Sequence, residues 1–204
     1  MQLTLTIFTA LLSIVKVSAL PTAGQNLEVR MLPFKFTLVL IVSKQVRDLN
    51  VTACGDPKTA VPWLRAYNAK VIDHFYTTNV TEMQNAITNL GYSAEGITGL
   101  LFSDQEPSTV PLYRLYNDAG TDHFYTTDAK EKDNAIANLG YVSEGITGYI
   151  YPDTNCSGLP LYRSYNAQGI DHFYTMSAAE SDGAVVAGWA KEGITGYMIP
   201  VALF

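Results

Sequence analysis

The residues of this chain with the widest chemical repertoire are three histidines, and each stands in the same short motif. The motif reads DHFYTT, DHFYTT and DHFYTM in turn, and successive copies are 49 residues apart. The histidines are His74, His123 and His172. Because an imidazole titrates near neutral pH and binds metals, three uses are open. The three rings could converge on one metal site, each could serve a ligand pocket, or each could make a structural hydrogen bond.

The aspartate that precedes each histidine is not expected to orient the histidine ring. The aromatic motif around both residues is typical of a β-strand, and adjacent residues on a strand point to opposite faces. The chain also contains no HExxH motif and no glycine-rich phosphate loop after a strand. We therefore predict neither a bound metal nor a cofactor.

An arginine and a tyrosine precede each histidine, in a motif that reads PWLRAYN, PLYRLYN or PLYRSYN. Strand alternation puts both side chains on one face. The position between them varies, as Ala66, Leu115 and Ser164, so we expect the opposite face to meet solvent. Together with the histidines, the predicted ligand-binding residues are Arg65, Tyr67, Arg114, Tyr116, Arg163 and Tyr165.

Two acids are candidate partners for each arginine. Asp122 lies on the strand that adjoins the strand of Arg114, and Glu144 opens the later EGITG motif. A buried arginine–carboxylate pair is bidentate and fixes local geometry, which would be a structural role. The same residue types also bind sugars, because an aromatic ring covers the apolar face of a pyranose and planar polar groups bind its hydroxyls.

The remaining motifs of each repeat predict a helix and a third strand. Asn79 is followed three positions later by Glu82, which is the pattern of a capping box. An apolar stripe that includes Ile136 and Leu139 is expected to pack on the sheet. Gly91 stands where the first helix should end. The glycines of the EGITG strand leave the backbone open to close approach, so each repeat reads β-β-α-β.

A period of this length indicates one supersecondary unit copied three times. One such unit cannot bury its own apolar face, so the three copies must share a core. We predict a mostly β (α+β) domain at 61–204, with repeats at 61–109, 110–158 and 159–204. We expect pseudo-threefold symmetry, as in a very small propeller or a trefoil-like barrel.

The N-terminal region resembles a secretory signal followed by an extension. Residues 1–19 combine an apolar stretch with a Val-Ser-Ala ending, which is typical of a cleaved signal peptide. The extension at 20–60 contains a second apolar burst at 29–45, either an edge strand or an intron translated in frame. N-glycosylation sequons begin at Asn50 and Asn79. We therefore predict a secreted protein.

The two cysteines, Cys54 and Cys156, form neither a CxxC motif nor a zinc-binding spacing. They lie just before repeats 1 and 3. If the repeats close into a ring, the N-terminal arm reaches the junction of repeats 2 and 3. We therefore predict a disulfide, and the alternative is two free thiols.

The charge of the chain limits its partners. The formal net charge is −6, whereas a phosphate-backbone ligand needs clustered lysine and arginine. Nucleic acid and anionic membrane are therefore not expected partners. Catalysis also has little support, because a glycosidase needs two differentiated carboxylates, and the candidate acids of the repeat motifs occur in triplicate.

The motifs PLYRLYN, DHFYTT and EGITGYI, taken as a set repeated three times, resemble a secreted tandem-repeat family known mainly as a domain of unknown function. That family occurs in fungal secreted proteins and in bacterial surface or cell-wall-lytic proteins. The resemblance covers about 61–204 and implies a module that attaches to carbohydrate or to a cell surface. We therefore expect non-catalytic, lectin-like binding of a glycan or cell-wall polysaccharide. The alternatives are a structural or protein-interaction module, such as an inhibitor, and a wall-active hydrolase.

Overall fold

A computed structural model describes residues 53–201 of this chain. The predicted signal peptide at 1–19, the segment 29–45 and the sequon at Asn50 lie outside the described residues, as does most of the extension at 20–60. The described part is mostly β, with three similar three-stranded sheets and three α-helices, so the predicted fold class is confirmed at this level. No helix among these residues is long and apolar enough to cross a membrane.

Each repeat contributes two strands, a helix and a third strand, in the predicted order. Repeat 1 forms β1 Val61–Asn68, β2 Asp73–Thr77, α1 Val80–Asn89 and β3 Ser93–Leu101. Repeat 2 forms β4 Val110–Asn117, β5 Asp122–Thr126, α2 Ala129–Asn138 and β6 Val142–Ile150. Repeat 3 forms β7 Leu159–Asn166, β8 Asp171–Thr175, α3 Ala178–Val186 and β9 Ala190–Met198.

Every sheet is antiparallel, with the first strand of its repeat in the centre. The strand orders are β2-β1-β3, β5-β4-β6 and β8-β7-β9. Arg65 pairs with Tyr76 on β2 and with Gly96 on β3, between two shifts of register that displace β3 along β1. In the described part of the chain the three sheets do not close into a barrel. Isolated backbone bridges join the ends of their third strands, Leu100 to Ile199, Phe102 to Tyr149 and Tyr151 to Tyr197.

The helices begin and end where the sequence predicts, although the capping contact differs. The side chain of Asn79 accepts the backbone N–H groups of Thr81 and Glu82. In a capping box Glu82 would bind the Asn79 N–H in return. Here the Thr77 hydroxyl accepts that N–H and donates to Glu82 instead. At the other end Gly91 has a φ of 82°, as a residue after a helix C-cap requires.

The face of each first strand that carries the variable position is buried, so the prediction that it meets solvent is wrong. Ala66 and Leu115 are 0% exposed, and Ser164 is 1% exposed. Ala66 packs in one cluster with Met83 and Ala86 of α1. The variable position is therefore covered by the helix of its own repeat.

Helices α2 and α3 each bury one small side chain, whereas α1 buries Met83 together with Ala86. In α2 the buried residue is Ala135, which clusters with Leu115 and Phe124. Ile136 and Leu139 are 40% and 56% exposed, so the predicted apolar stripe of this helix is wrong. An alanine at the contact lets the helix lie close to the strands, and the flanking isoleucine and leucine are then left at the edge of the contact.

A ring of three fully buried tyrosines joins the second strands. The ring consists of Tyr76, Tyr125 and Tyr174. The Tyr125 hydroxyl donates to the Tyr76 carbonyl at 2.7 Å and accepts the Tyr76 N–H at 2.9 Å. Tyr174 bonds Tyr125 in the same way, and Tyr76 bonds Tyr174. Edge amides and carbonyls that would otherwise be buried without partners are thus satisfied by another repeat.

The glycines of the third strands serve two different purposes. A Cβ on Gly148 would lie 2.3 Å from Leu101 Cδ1 and 2.9 Å from the Phe102 carbonyl oxygen, so another repeat approaches this backbone closely, as predicted. Gly145 has a φ of 96° and open space around it, so the predicted close approach is wrong there. That glycine supplies a left-handed backbone conformation instead.

The predicted disulfide between Cys54 and Cys156 is present, with Cα atoms 5.6 Å apart. It joins the arm that precedes β1 to the segment between repeats 2 and 3. The Tyr151 hydroxyl donates to the Gly55 carbonyl at 3.4 Å, which holds the same arm from a second point.

Candidate functional site

Each predicted arginine is held by two glutamates from two different repeats. The Nε of Arg65 lies 2.9 Å from Glu95 of its own repeat, and the terminal nitrogens lie 3.1 and 2.9 Å from the two oxygens of Glu180 in repeat 3. The guanidinium also lies over the Phe173 ring, 5.2 Å from its centroid. Burial lowers the pKa of Arg65, but Glu180 and Glu95 outweigh burial and hold this pKa above its usual value.

The same arrangement recurs at the other two arginines. The equivalent ion pairs are Arg114–Glu144, Arg114–Glu82, Arg163–Glu192 and Arg163–Glu131. Of the two acids predicted as partners, the glutamate of the EGITG motif is therefore correct. Asp122 is the wrong partner, since it binds His172 instead. The helix glutamate was missed because its position is explained by the capping-box pattern, which concealed its contact with another repeat.

Each histidine is bound by the aspartate of another repeat. The Nδ1 of His74 lies 2.7 Å from Asp171, and the His74 backbone N–H donates to the other oxygen of that carboxylate at 2.9 Å. The remaining pairs are His123–Asp73 and His172–Asp122, with the same distances. The expectation that an aspartate does not orient the next histidine in sequence is confirmed. Of the three uses open for the histidines, these contacts correspond to the structural hydrogen bond.

The aspartates form a cluster in which one oxygen from each lies within 4.8 Å of the others. The cluster consists of Asp73, Asp122 and Asp171, all 0% exposed. Tyr92 and Tyr141 donate hydroxyl hydrogen bonds to the first two carboxylates. The equivalent residue of repeat 3 is Trp189, which has no hydroxyl. Burial raises the pKa of Asp171 against the opposing effect of His74. Because both oxygens of every carboxylate accept hydrogen bonds from histidine, we assign the cluster to the interior of the fold.

The structure brings the predicted arginine, tyrosine and histidine of one repeat together. The Tyr67 and His74 rings stack with centroids 4.4 Å apart. Glu95 lies between Arg65 and His74, with its Oε2 2.9 Å from Arg65 Nε and 3.8 Å from His74 Nε2. Burial raises the pKa of Tyr67, and the charges of Asp171 and Glu95 raise it further. This glutamate is therefore the residue that connects the predicted set.

A cleft opens beside Arg65, between repeats 1 and 3. Its volume is about 350 Å³. Repeat 1 contributes Arg65, Glu95, Ile97 and Thr98, and repeat 3 contributes Thr175, Met176, Ser177 and Glu180. Tyr67 and His74 are not among the lining residues. We call this feature the Arg65 cleft.

The apolar wall of the Arg65 cleft was missed by sequence reasoning. Ile97 is 45% exposed there, and Met176 is half-buried beside it. The isoleucine is repeated at Ile146 and Ile194, which are 48% and 49% exposed. An isoleucine that recurs at the same place in every repeat was the available signal. It reads as an ordinary strand residue until its exposure is known.

Comparison with known proteins identifies the family of the chain but no named relative. No curated protein and no solved structure matches it significantly. The model of a domain of unknown function, DUF5648, matches residues 62–199. That match spans all three arginine sites and the Arg65 cleft. The chain therefore belongs to the DUF5648 family.

Proposed function

We propose that this domain is a secreted, non-catalytic, lectin-like module that binds carbohydrate at the Arg65 cleft. The observation that carries the proposal is the composition of the cleft, where Glu95 and Glu180 are fixed by Arg65 next to the exposed Ile97 and the half-buried Met176. Polar groups held in advance can bind sugar hydroxyls at little entropic cost. The apolar side chains cover the C–H face of the sugar ring.

The size and repetition of the cleft support the same proposal. About 350 Å³ lies at the lower end of the range for small-ligand sites. The arginine, both glutamates and the isoleucine recur in every repeat, which supports up to three sites and avidity for a repetitive glycan. The cyclic contacts of the tyrosines, histidines and arginines lead us to infer a trefoil-like, three-fold arrangement of the repeats.

Secretion is part of this proposal. A disulfide such as Cys54–Cys156 persists in oxidising compartments and is rare in the cytosol. The signal-like stretch at 1–19 points to the same destination. Asn79, the predicted glycosylation site within the described part, is exposed before the start of α1, where an attached glycan would have room.

A glycan array followed by isothermal titration calorimetry tests the proposal. We expect at least one fungal, bacterial or plant glycan to bind. Replacing the three exposed isoleucines (Ile97→Ala, Ile146→Ala and Ile194→Ala) should weaken binding about tenfold, because each loses part of the apolar contact. The triple variant Leu90→Ala, Leu139→Ala and Val186→Ala is the matched control, since these residues at the helix ends are 57%, 56% and 91% exposed and do not line the Arg65 cleft. Absence of any glycan binding, or equal affinity for the isoleucine and control variants, would refute the proposal.

A structural or protein-interaction module is the second candidate. It is supported by the pairing of the repeated polar residues, since each arginine contacts two carboxylates and the Nδ1 of each histidine is bound by an aspartate of another repeat. In that case the exposed isoleucines Ile97, Ile146 and Ile194 would contact a protein partner, and no glycan would bind. For the third candidate, a hydrolase, Glu180 is not suited to be the general acid. Burial raises the pKa of Glu180, but Arg65 and Thr175 outweigh it and lower the pKa, whereas a general acid needs a raised pKa.

A further inference from the structure

The charged groups of the Arg65 cleft do not balance. One guanidinium faces two carboxylates, those of Glu95 and Glu180, at 2.9 Å each. All three nitrogens of the Arg65 guanidinium contact these carboxylates. An ionised carboxylate has about four acceptor sites, so both glutamates keep capacity for a further donor. The lining of the cleft is thus an acceptor surface with net negative charge.

The carboxylates are also the charged groups that a ligand would meet first. The Arg65 side chain is 14% exposed, whereas those of Glu95 and Glu180 are 31% and 41% exposed. His74 is a second basic residue in contact with Glu95. Its Nδ1 is bound by Asp171, and its Nε2 lies 3.8 Å from Glu95. Both basic residues are therefore already paired with carboxylates, and the guanidinium is less exposed than the carboxylates that hold it.

We infer, building on the proposed carbohydrate function, that the Arg65 cleft binds amine-bearing sugars of the glucosamine type in preference to neutral or acidic ones. The equivalent groups around Arg114 and Arg163, where Thr78 and Thr127 stand in place of Met176, share this preference. A protonated sugar amine offers three N–H donors to acceptor-only carboxylates, in a charge-assisted contact. The pyranose ring then lies against Ile97 and Met176. A uronic acid in the same position would bring a third carboxylate to two that are already there.

Three oligosaccharides of equal length separate the charge classes. Isothermal titration calorimetry of the full chain would use oligomers of glucosamine, N-acetylglucosamine and galacturonate, at a mildly acidic pH that keeps the amine protonated and the glutamates ionised. We expect the glucosamine oligomer to bind about tenfold more tightly than its acetylated counterpart, and the galacturonate oligomer not to bind. Added salt should weaken the glucosamine complex most, because salt screens exposed charges.

Glutamate variants test whether the cleft is responsible. The triple variant Glu95→Gln, Glu144→Gln and Glu192→Gln should remove the preference for the amine. The matched control is Asp104→Asn, Asp118→Asn and Asp133→Asn, which removes the same charge from exposed residues that do not line the Arg65 cleft. Thermal unfolding would check that both proteins are folded.

The outcomes distinguish this inference from the function on which it rests. If the acetylated or acidic oligomer binds as tightly as the glucosamine oligomer, the charge preference is wrong and the carbohydrate function stands. The charge preference is also wrong if the control variant loses the preference as fully as the glutamate variant. If none of the three oligomers binds, the preference for the amine is overturned, and the glycan array decides separately whether the domain binds carbohydrate.

Discussion

At the scale of single residues, the repeated polar groups of this protein bind one another across repeats. Arg163 takes Glu192 from its own repeat and both oxygens of Glu131 from the helix of the preceding one. The Thr126 hydroxyl donates to the same Glu131. Burial raises the pKa of Glu131, but Arg163 and Thr126 outweigh burial and hold the pKa below its usual value. This glutamate therefore stabilises the fold in its ionised form.

The free energy of unfolding should depend on pH in a way that reflects the ion pair between Glu131 and Arg163. A carboxyl whose pKa is lowered by folding contributes stability above its unfolded pKa and loses it as pH falls through the folded pKa. Asp171 has the opposite sign, because its raised pKa favours the folded state as it is protonated. We expect Glu131→Gln to lower the free energy of unfolding by about 1 kcal/mol or less at neutral pH, since solvent screens this partly exposed group. Urea unfolding across a pH series should show variant and wild type converging in acid, and a constant difference would contradict the assignment.

At the scale of elements, the third strand of each repeat contains two glycines with different roles, one with a positive φ and one at a close contact with another repeat. Near its start, Gly193 adopts a φ of 112° at a shift of register against β7. Further along, a Cβ on Gly196 would lie 2.5 Å from Ile150 Cδ1 and 3.0 Å from the Tyr151 carbonyl oxygen. Backbone bridges such as Tyr151 to Tyr197 lie beside this contact. The strand therefore turns toward its neighbour and then allows it to approach.

Substitution of two glycines should separate close approach from helix propensity. Gly148→Ala should destabilise the protein by about 2 kcal/mol, because the new methyl would meet both a side chain and a backbone oxygen of another repeat. Gly183→Ala, in the middle of α3 with nothing within 4 Å of a Cβ, should stabilise it by about 0.5–1 kcal/mol. Chemical unfolding of both variants gives the comparison. Equal effects would show that the contact at Gly148 relaxes without cost.

At the scale of the whole described domain, the repeats depend on one another for their hydrogen bonds. A tyrosine hydroxyl, an aspartate and a helix glutamate from each repeat complete groups that belong to another. A single repeat would lose these hydrogen bonds and would expose to water the apolar surface that the other repeats cover. The three copies should therefore unfold in one cooperative transition.

The disulfide should contribute strongly at this scale. Cys54 and Cys156 are 102 residues apart, so the bond restricts a long loop of the unfolded chain. In the chain-entropy model a loop of this length is worth about 4–5 kcal/mol. We expect the double variant Cys54→Ala and Cys156→Ala to lose a comparable free energy of unfolding. Reduction of the wild type should reproduce that loss and leave the variant unchanged. A loss below about 1 kcal/mol would mean that the arm contributes little to the cooperative unit.

The amino-acid sequence by itself determined the three-fold repetition, the β-β-α-β order and the helix limits, and it predicted the disulfide on the assumption that the repeats close into a ring. The signals for the helix limits are local, because a cap such as Asn79 or a glycine such as Gly91 acts on backbone groups a few residues away. The repetition is visible in the motifs directly. The residue types of the candidate site were also readable, since Arg65 and its equivalents recur at a fixed period.

Only the tertiary structure decided which repeat supplies each partner and which face of each strand is buried. Strand alternation excluded Asp73 as the orienting group of His74, yet it could not identify Asp171, which lies 97 residues away in the chain. Sequence patterns also could not identify Glu180 as a partner of Arg65, nor show that Ile97 is exposed. These contacts form between repeats, so they depend on how three separate sheets pack against one another, and local sequence preferences do not encode that packing.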